Sequence, residues 1–74
     1  MELQEFIKKF GEAIDVANIE DLSPETDFHE LEEWSSLSVM VVIAFFDEVF
    51  DKQVGDEEIR QAVTIQDLYK LISV

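Results

Sequence analysis

The sequence predicts an all-α fold, a small four-helix bundle with three main helices, one short helix and a long first connection. Three observations lead there. Apolar residues recur at helical spacing in separate segments, Ser, Thr and Asp stand ahead of those segments as N-caps, and no Asn-Gly or Asp-Gly hairpin signal occurs. The first segment runs from Glu2 to Ala17, where Leu3, Phe6, Ile7, Phe10, Ile14 and Ala17 form one apolar stripe among charges. A connection over 18–34 follows. Within it, Ser23-Pro24-Glu25 reads as an N-cap with proline at the first helical position of one short turn. Leu22, Phe28 and Leu31 should hold this connection against the core.

The segment from Leu37 to Phe50 contains a continuous β-branched and aromatic run over 39–46, which a buried strand would also show. Length, the absence of partner strands and the N-cap chemistry of Ser35-Ser36 favour a helix. At ~100° per residue, Val39, Val42, Ile43, Phe46, Val49 and Phe50 share the core face. Asp47, Glu48 and Asp51 fall opposite, together with Met40, Val41 and Ala44, which leaves an apolar strip rimmed by acid facing solvent. Residues 55–62 then give a brief helix with Asp56 as N-cap. Thr64-Ile65-Gln66-Asp67 is a capping box, and Ile65, Leu68, Tyr69 and Ile72 make the apolar stripe of a final helix.

Residues 1–74 are expected to form one domain, since a chain of this length buries only about 60% of its unfolded surface and has material for one core. Eighteen acidic residues against five basic ones give a net charge of −13, while 47% hydrophobic residues with six Phe offset chain entropy. Such a surface repels nucleic-acid phosphates and anionic lipids and suits basic partners. No stretch approaches the ~20 apolar residues of a membrane span, and a cytoplasmic protein is expected. The absence of Cys removes disulfides, thiolate zinc sites and a cysteine nucleophile.

No catalytic constellation and no metal site is expected. The acids lie in polar runs, where nothing displaces a carboxylate toward acid–base work, and they lack the order of a calcium loop. His29 has no second His at ligand spacing. Trp34 either staples the connection to the helix behind it or shapes a surface beside the serines. Ser36 is the sharper case. A hydroxyl at a helix N-terminus lies beside unsatisfied backbone N–H groups and the positive end of the dipole, where an attached phosphate is stabilised. No base is evident to make it a nucleophile unaided, so another enzyme would modify it.

Ser36-Leu37, the apolar helix behind them, Phe50, the Asp56-Glu57-Glu58 turn and Thr64-Ile65-Gln66-Asp67-Leu68 follow one another over the whole chain without gaps. With the length and acidity, this series resembles the acyl carrier protein family. The resemblance implies a four-helix carrier whose Ser36 receives a 4′-phosphopantetheine arm from coenzyme A through a separate transferase. Acyl groups would ride on the arm's thiol as thioesters, in fatty-acid or specialised lipid or polyketide-type biosynthesis. It also implies a monomer that is not itself an enzyme. Its partners would be a phosphopantetheinyl transferase and acyl-processing enzymes whose basic docking surfaces meet Met40, Val41, Ala44, Asp47, Glu48 and Asp51. The family motif commonly reads Gly, a variable residue, Asp, Ser, Leu; here Trp34-Ser35-Ser36-Leu37 places Ser35 in the Asp position, and Ser38 and Val41 stand where acids are common. These departures point to a specialised partner set. The alternative is a carrier-like protein-interaction module that is never modified.

Overall fold

Phenylalanine organises the structure, a computed structural model that describes residues 2–72. Helices α1 (Leu3–Ala13), α2 (Ser36–Phe50), α3 (Asp56–Gln61) and α4 (Ile65–Ile72) surround one aromatic hub. The fully buried Phe6 ring has its centroid 5.4–6.3 Å from those of Phe10, Phe45, Phe46, Phe50 and Tyr69. One residue of α1 thereby joins α2 and α4, and Val42, Phe46, Ile59, Ile65 and Leu68 close the core around it. No strand forms among the described residues, and the run over 39–46 lies wholly within α2.

Helix α1 stops at Ala13, short of the expected Ala17. Asp15 takes the left-handed conformation at φ 62°. The Asp15 N–H donates to the Glu12 carbonyl and the Val16 N–H to the Gly11 carbonyl, the paired bonds of a Schellman ending. Apolar periodicity continues past this point and therefore does not register the break. Gly11 serves close approach: a Cβ there would lie 2.9 Å from Ile19 Cγ1 and 3.0 Å from Leu22 Cδ1. The connection thus crosses α1 at near-backbone distance.

Ser23-Pro24-Glu25 does not open a helix. The Thr26 N–H donates to the Ser23 carbonyl and the Ser23 N–H to Thr26 Oγ1, which gives a closed turn. The helical turns of the connection lie on either side, as 3₁₀ segments over Ile19–Asp21 and Phe28–Glu30. Its second half is tied to α4: the Ile65 N–H reaches the Thr26 carbonyl at 3.1 Å and the Gln66 N–H reaches the Pro24 carbonyl at 3.0 Å. These bonds satisfy first-turn amides that a helix cannot satisfy itself.

The α4 capping box forms as expected, with the Asp67 N–H on Thr64 Oγ1 at 3.2 Å. The Thr64 and Val63 N–H groups both donate to Asp67 Oδ2 at 3.1 Å, and these two bonds hold the Asp67 carboxyl below the usual carboxylate range. A carboxyl depressed in the folded state adds stability above its unfolded value, near pH 4, and loses that contribution as pH falls through the folded value. Thermal melts from pH 7 to pH 3 should therefore show wild type more stable than Asp67→Asn at neutrality, with the gap closing below about pH 4.

Two expectations about α2 and α3 are corrected. Val49, expected on the core face, is 45% exposed, while Ser38 at 5% and Phe45 at 8% are buried. The N-cap of α3 is Gly55, in extended backbone at ψ 163°, while Asp56 is already the first helical residue. Acids in a first turn favour the dipole whichever residue caps, so they did not discriminate between the two.

Candidate functional site

The start of α2 is built by Ser35 and Ser38. Ser35 is the N-cap in extended backbone, and its N–H donates to Ser38 Oγ at 2.9 Å. The Ser38 N–H returns to the Ser35 carbonyl at 3.0 Å, and Ser38 Oγ donates to the Glu33 carbonyl. Ser38 is only 5% exposed, so a serine in a position more often acidic acts here as a buried capping partner. Ser36 takes no part in this box. It is the first helical residue, exposed, with its hydroxyl at the mouth of the helix.

The approach to that hydroxyl is electrostatically unusual for so acidic a chain. The first turn of α2 holds no acid, whereas those of α1, α3 and α4 hold Glu5, Asp56 to Glu58, and Asp67. Glu33, the nearest preceding acid, turns its Oε2 to the Ala17 N–H at 3.3 Å. Trp34 packs within the connection: its ring meets Phe28 edge-on at 4.9 Å and His29 at 5.6 Å, and it lies partly buried against the core. The His29 Nδ1 lies 3.3 Å from Asp27 Oδ1, so its polar contact is Asp27 and not a serine of the cap. No cluster of three or more potential metal ligands exists among the described residues.

Below Ser36, α2 presents the acid-rimmed strip. Met40 is 68% exposed, and Val41, Ala44, Asp47 and Glu48 are exposed beside it. Ser36, Met40 and Asp47 fall on one line of the helix, with Met40 about 6 Å and Asp47 about 16 Å along the axis from Ser36. Asp51 departs from the expected pattern. It lies beyond the helix at φ 54°, where it ends α2 with its N–H on the Asp47 carbonyl, so its carboxylate belongs to the turn. Among the described residues no helix is long and apolar enough to cross a membrane.

Four further residues join the site. Leu37 is 70% exposed and extends the strip to the serine itself; its place one turn before Val41 on the outward side was readable from periodicity. Ile43 is half-buried and shared between core and surface. Gln53 and Val54 come from the segment after α2, which folds back so that a cleft of about 400 Å³ opens between it and Met40, Ile43, Ala44 and Asp47. Only the bend at Asp51 brings them there, and periodicity carries no signal for it. No protein-family model matches this chain, and no curated protein and no solved structure matches it either.

Proposed function

We propose that this chain is an acyl carrier whose Ser36 accepts a 4′-phosphopantetheine arm and presents acyl thioesters to other enzymes. The observation that carries the reading is the exposed Ser36 hydroxyl at the acid-free N-terminus of α2, clear of the Ser35–Ser38 cap. A phosphodiester fits there: first-turn amides and the helix dipole favour an anion, and no carboxylate of that turn opposes it. Coenzyme A would supply the arm. In the loading step Ser36 Oγ attacks the phosphorus bearing pantetheine, the P–O bond to adenosine 3′,5′-bisphosphate breaks, and the hydroxyl proton passes to a base of the transferase. Bound, the arm would supply a thiol for thioester formation, and this chain's own part would be to orient the hydroxyl and offer the Leu37–Met40–Val41 strip to partners with basic rims. Steered, weakly held encounters of that kind suit a shuttle in fatty-acid or specialised lipid or polyketide-type biosynthesis.

Incubation with coenzyme A, magnesium and a broad-specificity phosphopantetheinyl transferase should add about 340 Da to the intact mass. Ser36→Ala should abolish the gain. Ser35→Ala should still load, while losing about 1 kcal/mol of stability with its cap. Loading that survives Ser36→Ala and disappears in Ser35→Ala would move the site. The exposed strip also supports a second reading, an interaction module without the arm; failure of every transferase, together with a stable partner recovered on the Leu37–Met40–Val41 face, would favour it.

A further inference from the structure

Two adjacent serines stand at the mouth of α2, and only one of them can cap it. We infer that Ser38 is a positioning residue for Ser36: it holds the cap on Ser35 and so leaves the Ser36 hydroxyl free for the arm. The inference rests on the carrier reading of Ser36.

Cap chemistry alone does not choose between Ser35 and Ser36, because a serine side chain suits either position equally. The residue three places on does choose. With Ser35 as N-cap that residue is Ser38, whose Oγ accepts from the Ser35 N–H at 2.9 Å and donates to the Glu33 carbonyl at 3.4 Å. With Ser36 as N-cap it would be Val39, which has no polar side-chain atom to return a bond and is buried in the core. Ser38 is the one buried polar residue among the described residues, and its two bonds tie the chain on both sides of Trp34. It therefore fixes where the incoming chain stops and the helix starts. Were the cap to pass to Ser36, its Oγ would accept from first-turn amides of α2 and its backbone would become extended. That oxygen would then occupy the N–H groups that are to receive the phosphate, and it would turn back over the helix instead of toward a transferase. At 5% exposure Ser38 lies out of an enzyme's reach, so its influence has to pass through Ser36.

The test compares wild type, Ser38→Ala and Ser38→Thr as full chains, with intact mass following arm loading from coenzyme A by a phosphopantetheinyl transferase. Ser38→Ala loses two hydrogen bonds of the Ser35 register, each carrying a factor of up to about tenfold in its population. Loading kcat should fall about tenfold while KM stays within about twofold, because Leu37, Met40 and Val41 remain to dock either register. In the unmodified variant the Ser36 Cα resonance should move from a helical toward an extended shift, a change that loss of stability alone does not produce. Ser38→Thr keeps the hydroxyl, and it should restore that shift and bring loading to within about threefold of wild type. Three results would each overturn the inference and leave the carrier reading standing: a Ser36 shift that stays helical in Ser38→Ala, a Ser38→Ala kcat within about twofold of wild type, or a folded Ser38→Thr that behaves like Ser38→Ala. A wild-type chain that takes no arm refutes the carrier reading and the inference with it, and intact mass reads that first.

Discussion

Phe6→Ala should remove about 3–5 kcal/mol of stability, the range for truncating a fully buried aromatic. Stability for a chain of this size amounts to about 4–11 kcal/mol in all, so the variant sits at the edge of folding. With about 4–8 °C lost per kcal/mol in a small domain, the melting temperature should fall by about 12–40 °C. The reason is topological as much as volumetric. The Phe6 ring contacts aromatics of α2 and α4 as well as Phe10 of its own helix. Thermal melts by circular dichroism decide between a hub and an evenly shared core: a Phe6→Ala loss below about 1.5 kcal/mol would mean that the surrounding rings collapse into the space.

What periodicity could and could not reveal follows from the same packing. Phe6, Phe10, Phe46, Ile65 and Leu68 lie where a helical stripe places them, since burial is what generates such a stripe. The capping box at Thr64 was legible because its chemistry is local. Backbone reversals were not. The ending at Asp15 uses a left-handed aspartate where glycine is the usual marker, so α1 reads four residues too long, whereas α2 ends at Phe50 as expected, with left-handed Asp51 directly after it. Val49 lies on the core side of the wheel and is nonetheless 45% exposed, since the buried arc of α2 depends on the elements packed beside it, which no single-helix wheel contains. At the site, Ser36 and Met40 were readable from spacing. Gln53 and Val54 needed the fold-back after Asp51, and Ser38's buried capping bond needed the chain from Glu33 to Ser35 to be placed first.

On the proposed carrier reading, Met40→Glu separates the two forces that the strip would offer a partner. A new carboxylate one turn below Ser36 would strengthen attraction to a basic surface, while losing a flexible apolar anchor that is 68% exposed. The electrostatic gain is small: an exposed charge pair contributes about 0.2–1 kcal/mol and is screened over about 8 Å at physiological salt. An apolar anchor at the centre of a docking face can carry about 2 kcal/mol or more. The loss should win. Transferase kcat/KM for arm loading is expected to fall about 10–30-fold, with stability unchanged within about 0.5 kcal/mol because the side chain leaves no core contact behind. Asp47→Lys should instead produce a smaller fall, a few-fold at low ionic strength, that vanishes as salt is added. Steady-state loading rates at two salt concentrations distinguish the cases. If Met40→Glu loads faster than wild type, steering by charge governs the encounter and the apolar strip is not what the transferase grips.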